Sequence, residues 1–132
     1  MKKIIAYTAA TGKKSGGEFS KIISENLDTI NEMFPGGIRA LVRSETSTEH
    51  LEKMIPQIEL YRGSIYDKVL LEQFLAGVDT LVHIAGVGFS PNIVEVAAKC
   101  NVRRMILVHT TGIYSKYKAA GEEYRKIEVE DM

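Results

Sequence analysis

Five short apolar runs, at 4–7, 38–42, 58–61, 80–85 and 104–108, alternate along the chain with stretches in which apolar residues recur every three or four positions. The runs predict strands buried on both faces, because a strand wetted on one side would alternate apolar and polar residues. The stretches between them predict helices. Phe19, Ile22, Ile23, Leu27 and Ile30 make the apolar stripe of one continuous first helix. Leu51, Met54 and Ile55 make that of the second, and Leu70, Leu71, Phe74 and Leu75 that of the third. Ile93, Val96, Ala97 and Cys100 serve the fourth, and Ala120, Tyr124 and Ile127 a last helix at about 118–129.

Local signals punctuate this pattern. Pro35, Gly36 and Gly37 stop the first helix. Thr46 and Glu49 have the spacing of a capping box, and Pro56 ends the helix it opens. Asp67 caps the third helix and Gly77 stops it, while Ser90-Pro91 places a capping hydroxyl before a proline at the first helical position. Strict strand–helix alternation predicts an α/β domain spanning 1–132, with a doubly wound parallel sheet and helices on both faces. Right-handed crossovers favour the strand order 3-2-1-4-5. The ligand crevice then opens where strands 1 and 4 diverge at their C-terminal ends, and the loops after the strands form its rim.

The first of those loops carries the strongest chemistry. Residues 4–7 lead into Thr8-Ala-Ala-Thr-Gly-Lys-Lys-Ser-Gly-Gly17, and a helix follows. Small residues let the backbone approach an anion, and a helix N-terminus adds free N–H groups with a partial positive charge. This reads as a nucleotide-binding turn, best suited to a dinucleotide. A P-loop is a poor fit, since it would need glycine at Tyr7 and a hydroxyl at Lys14.

Composition narrows the partners. The 132 residues are 45% hydrophobic and 26% charged, with 17 basic and 17 acidic side chains. Such a balance argues against nucleic acid or an anionic membrane surface as the main partner. The single cysteine, Cys100, excludes an internal disulfide and a cysteine-rich metal site, and it fits a reducing cytoplasm. No apolar run approaches the roughly 20 residues of a membrane-spanning helix. His83 and His109 lack metal-site spacing and read as hydrogen-bonded core or rim residues, so no metal is expected.

Several segments, in order, resemble the extended and atypical short-chain dehydrogenase/reductases, including the NAD(P)-dependent epimerase/dehydratase and NmrA-like branches. They are Thr8-Ala-Ala-Thr-Gly12, Arg39-Ala-Leu-Val-Arg43, Arg62-Gly-Ser-Ile-Tyr-Asp67, Asp79-Thr-Leu-Val-His-Ile-Ala-Gly86 and Asn101-Val-Arg-Arg-Met-Ile-Leu-Val-His-Thr-Thr-Gly-Ile-Tyr114. The resemblance covers nearly the whole chain and implies a Rossmann-like sheet holding NAD(P). It assigns the pyrophosphate turn to Thr8, Ala10, Thr11, Gly12, Lys13 and Lys14. It places Ser64 and Ile65 beside the adenine, Ala85 and Gly86 beside the ribose and nicotinamide, and Thr110 at the end of the fifth strand. The family's usual acidic residue after strand 2 is replaced by Arg43, and a guanidinium suits a 2′-phosphate, so NADP(H) is favoured over NAD(H).

For chemistry, the resemblance offers Thr111 as the hydroxyl that orients substrate, and Tyr114 and Lys118 as the Y-x-x-x-K pair. Tyr114 also matches a second, non-catalytic family tyrosine. The chain departs from the family in two further ways. Ala9 stands where the first turn glycine is usual, and about 30 residues separate Gly12 from Arg43 against the ~20 of the standard fingerprint. The family continues beyond this point with a substrate-binding region, so the chain reads as a cofactor-binding part without it, and the small-molecule substrate is unknown. An exposed fifth strand would invite a homodimer. Two other functions stay open beside an oxidoreductase or sugar-nucleotide epimerase/dehydratase: a non-catalytic dinucleotide sensor, and a fold serving as a protein-interaction module.

Overall fold

The computed structural model describes residues 2–11, 15–84 and 90–108. In chain order its elements are β1 (Ile4–Thr8), α1 (Ser15–Glu25), α2 (Leu27–Met33), β2 (Gly37–Val42), α3 (Glu49–Met54), β3 (Glu59–Arg62), α4 (Lys68–Leu75), β4 (Thr80–Ile84), α5 (Ser90–Lys99) and β5 (Arg104–Val108). The strands form one parallel sheet in the order β3-β2-β1-β4-β5, as the alternation predicts. The helix expected at 118–129 lies outside the described residues.

The period of two along each strand divides the core into two layers. Ile5, Tyr7, Ile38, Ala40 and Val42 pack with Ile23 of α1, Phe34, and Leu51 of α3 on one face. Ala6, Leu41 and Leu81 pack with Leu71, Phe74 and Leu75 of α4, and with Ile93, Val96 and Ala97 of α5, on the other. The longest described helix, α1, has 11 residues. Isolated helices shorter than about 12–15 residues are marginal in water, so burial on the sheet, rather than propensity, holds these in place.

The expected single first helix is two helices. The Asn26 side chain donates back to the Ile22 carbonyl at 2.7 Å, and the Asn26 N–H bonds the Ile23 carbonyl at 3.0 Å. This local competition for backbone acceptors ends α1, and Asn26 then stands at the N-cap position of α2 with no side-chain capping bond, its carbonyl accepting from the Ile30 N–H at 3.0 Å. Phe19, Ile23, Leu27 and Ile30 still reach the core. Ile22 does not; it is 54% exposed.

The capping signal before α3 also shifts. Thr48, not Thr46, is the cap residue, and its hydroxyl bonds the Glu52 carboxylate at 3.1 Å instead of a helix N–H. Asp67 does cap α4, accepting from the Leu70 N–H at 3.2 Å, and Gly77 ends the helix with a left-handed φ of +79°. At that end Arg39, reaching over from β2, donates to the carbonyls of Phe74 (3.0 Å) and Ala76 (2.7 Å). A cation on these helix-terminal carbonyls ties α4 to the sheet.

The two sheet edges differ. β3 presents the exposed charged side chains of Glu59 and Arg62. On β5, Ile106, Leu107 and Val108 are 45%, 43% and 36% exposed. No helix among the described residues is long and apolar enough to cross a membrane.

Candidate functional site

A cavity of about 700 Å³ opens at the C-terminal ends of the strands, where the sheet topology calls for a ligand. Its walls come from the end of β1 and the turn after it (Thr8, Ala9, Thr11), the 41–46 segment, the 63–66 segment, and Ile84 at the end of β4. Three of the predicted rim loops therefore meet in one space.

Thr8 sits at the point of divergence. Backbone pairing of β1 with β4 runs through Ile5↔Thr80, Ala6↔Leu81 and Tyr7↔Val82 and then stops. One residue further on, the Thr8 hydroxyl takes over, accepting from the Ile84 N–H at 2.8 Å and lying 3.1 Å from His83 Nδ1. Thr8 and His83 are both buried, so His83 is a hydrogen-bonded core residue, as its place in an apolar strand implied. Thr8→Val keeps the shape and removes the bridge, leaving the Ile84 N–H without its acceptor. An unsatisfied buried donor costs about 1–3 kcal/mol. The unfolding free energy from urea titration is expected to fall by that amount, read as a lower midpoint; an unchanged midpoint would show that the bridge carries no weight.

The turn after β1 is held from beneath. Ser20 of α1 donates to the Ala10 carbonyl at 2.8 Å, and the Tyr7 hydroxyl lies 2.8 Å from Ser20 Oγ. Because the serine proton is committed to Ala10, Tyr7 is the donor of that second bond. Burial pushes the Tyr7 phenol up to about 12. Its ring meets Phe19 edge-on at 5.2 Å. Tyr7 and Ser20 were not legible as site residues, since a tyrosine in an apolar strand and a serine on a helix carry no motif. Ala10 is consequently buried and does not border the cavity, whereas Ala9 and Thr11 do.

Ala9 has φ +57°, the left-handed conformation that a Cβ disfavours. A glycine is usual there in the family the sequence resembles, and the backbone keeps the glycine-type geometry despite the methyl. Ala9→Gly relieves this strain and is expected to stabilise the fold by about 1 kcal/mol, after allowing for the extra freedom of glycine in the unfolded chain. Thermal unfolding tests this; a lower melting temperature in the variant would refute it.

The far wall carries the charge. Arg43 follows β2, is exposed, and is the one cation on the cavity among the described residues. Its side chain makes no hydrogen bond or ion pair there, while its carbonyl accepts from the Thr46 N–H at 3.2 Å to close a turn. Ser44, Glu45 and Thr46 complete that turn at the rim. Opposite, Gly63 has φ +153° and donates to the Val42 carbonyl at 2.9 Å, and a Cβ there would meet Leu70 at 2.5 Å. Ser64 Oγ accepts from the Tyr66 N–H at 3.0 Å, which leaves the hydroxyl proton free to donate outward. Ile65 borders the cavity and packs on the second core cluster.

The structure thus brings together Thr8, Thr11, Arg43, Ser64 and Ile65 on one cavity. Gly12, Lys13, Lys14, Ala85, Gly86, Thr110, Thr111, Tyr114 and Lys118 lie outside the described residues. What is described suits the adenosine half of a dinucleotide. Val42 and Ile65 supply apolar walls for a base, Ser44, Thr46 and Ser64 supply hydroxyls, and Arg43 supplies a cation at one end. No cluster of three or more His, Cys, Asp or Glu residues able to hold a metal occurs among the described residues.

A family model described as NAD(P)H-binding matches residues 35–130. The match begins after the altered glycine turn and the broken first helix. No curated protein matches the sequence. Solved structures do match in fold. A short-chain dehydrogenase/reductase (wide type) from Veillonella parvula in complex with NADP is 21% identical, with a TM-score of 0.63 over 87% of this chain and 51% of its own. NmrA, a negative transcriptional regulator in complex with NAD, is 19% identical, with a TM-score of 0.64 over 88% and 36%. A triphenylmethane reductase from Citrobacter sp. complexed with NADP(H) is 24% identical, with a TM-score of 0.59 over 78% and 36%. The chain therefore spans about half the length of the first of these and about a third of the other two.

Proposed function

The chain belongs to the NAD(P)H-binding family, and from that premise we propose that its cavity holds the adenosine half of NADP(H) in preference to NAD(H), with the 2′-phosphate on Arg43. The observation that carries this reading is the Arg43 guanidinium, exposed at the rim with no partner among the described residues. An NAD-selective site would instead place a carboxylate after strand 2 to receive the ribose hydroxyls. Glu45 is two residues further along the turn, and Arg43 comes first after the strand. The adenine would lie between Val42 and Ile65, within reach of the Ser64 hydroxyl. The pyrophosphate would lie over the turn that Thr8 opens, with Thr11, Gly12, Lys13 and Lys14 beside it.

When bound, the nicotinamide supplies hydride chemistry. In this reading Ala85, Gly86 and Thr110 line its pocket, Thr111 orients a carbonyl or alcohol, and Tyr114 with Lys118 handles the proton. The whole protein would then be an oxidoreductase or sugar-nucleotide epimerase/dehydratase, with substrate choice made by a further region of the kind the family carries. The likeness in fold to a transcriptional regulator supports a second reading, a dinucleotide sensor without turnover. A panel of carbonyl substrates with NADPH separates the two.

Titration of the purified chain with NADPH and NADH, followed by nicotinamide fluorescence, tests the binding proposal. Tighter binding of NADPH is expected. Equal or tighter binding of NADH would overturn the phosphate assignment. No binding of either at about 1 mM, the level of roughly 4 kcal/mol of affinity, would remove the cofactor reading for this chain.

A further inference from the structure

The turn that carries Arg43 is fastened from behind by a second arginine. Arg62, the last residue of β3, donates through Nη1 to the Thr46 carbonyl at 3.1 Å and through Nη2 to the Thr48 hydroxyl. Thr48 in turn holds the Glu52 carboxylate at 3.1 Å. Thr46 closes the turn back onto the Arg43 carbonyl. One guanidinium therefore joins the end of β3, the end of the 43–46 turn and the start of α3. Arg62 does not itself border the cavity.

We propose that Arg62 sets the cofactor preference without touching the cofactor, by holding the 43–46 turn in the position that presents Arg43 to the 2′-phosphate. This rests on the Arg43 reading above. The chemistry requires an arginine. Its planar fork spans two acceptors in fixed geometry, whereas a lysine ammonium is a compact donor on a flexible stem that holds no such geometry. Without the fork, the exposed turn is free to swing, and a phosphate must order it on binding, which lowers affinity. NADH makes no contact with Arg43 in this reading and does not depend on the turn's pose in the same way.

The experiment measures NADPH and NADH affinities for the native chain, Arg62→Ala, Arg62→Lys, Arg43→Ala and the Arg43→Ala/Arg62→Ala double variant, with thermal unfolding to confirm folding. Arg62→Ala is expected to reduce the NADPH-over-NADH ratio by about three- to tenfold, in keeping with the loss of one or two exposed charge-assisted hydrogen bonds. Arg62→Lys keeps the charge, folds without a surface change of sign, and is expected to lose most of the same preference. In the Arg43→Ala background, Arg62→Ala is expected to leave the ratio unchanged. Equal loss of both cofactors in Arg62→Ala would overturn the inference, as would full retention of preference in Arg62→Lys or a further fall in the double variant, which would signal direct contact. An Arg43→Ala ratio equal to that of the native chain would instead refute the phosphate reading on which the inference stands.

Discussion

Replacing Arg43 by alanine is expected to lower the affinity for NADPH by about 10- to 100-fold and to leave that for NADH within about twofold. The size follows from the geometry of the rim. Arg43 is the one cation on the cavity among the described residues, and none of the others supplies a second positive charge there. Its guanidinium makes no competing ion pair among those residues, so none has to break when a phosphate arrives. A guanidinium–phosphate pair can be bidentate, and hydrogen bonds to charged groups contribute about 1.5–3 kcal/mol each; exposure to water keeps the total for the pair within the range of one such bond. Two side readings follow. NADPH affinity in the native chain falls with added salt, because an exposed ion pair is screened within about 8–10 Å at 0.1–0.15 M, and in Arg43→Ala this dependence weakens. Arg43→Glu goes further and reverses the preference, since the carboxylate repels the phosphate. Calorimetry with both cofactors measures all three, and a proportional loss of NADH in Arg43→Ala would sink the assignment.

Phe74→Ala is expected to destabilise the fold by about 3–5 kcal/mol, close to half the stability of a typical domain. Phe74 is fully buried in α4 within the layer formed by Leu71, Leu75, Leu81 and Ile93. Its ring meets Tyr61 of β3 edge-on at 5.5 Å, so truncation removes the contact joining α4 to the edge strand. The surroundings are expected to refill the space only in part, because Arg39 donates to the carbonyls of Phe74 and Ala76 and restrains the helix end. Urea unfolding is expected to show a lower midpoint with an unchanged slope. The 63–66 wall, which leads directly from β3 into α4, loosens in parallel, and cofactor affinity falls with stability. A loss below about 1 kcal/mol would mean that the layer collapses onto the gap.

The strand order and both helix layers were legible because each depends on summed patterns. A parallel strand buried on two faces must be apolar throughout, and no single residue decides that. Asp67 and Gly77 were legible too, since each acts on its own helix end. The misplaced features depend on one hydrogen bond chosen among several. Asn26 could continue a helix or bond backward, and only the geometry at Ile22 decides it. Thr46 and Thr48 are both capping residues by type; Arg62, fourteen positions beyond Thr48, draws the second into a bond that a local motif cannot express. At the site, Thr8, Thr11, Arg43, Ser64 and Ile65, expected together from the strand ends and from the family resemblance, all border one cavity. Tyr7 and Ser20 were missed because their role is to hold the turn from below, where nothing but three-dimensional contact distinguishes them from core and surface. NAD(P)H binding belongs to the family, and the proposed choice between the two cofactors would rest on a few side chains at the end of one strand.

The unequal sheet edges bear on how copies of this chain could associate. A strand edge propagates into fibres only when both ends of the sheet accept partners, because each added copy must offer a fresh edge. Among the described residues the β3 edge carries the charges of Glu59 and Arg62, and the apolar edge is that of β5. Any pairing through β5 would therefore be self-terminating: two copies meeting across a twofold axis would consume both apolar edges and present charged ones outward. Edge contact would yield a finite particle rather than a polymer, and replacing Glu59 and Arg62 by apolar residues would be the step that opens the way to unlimited growth.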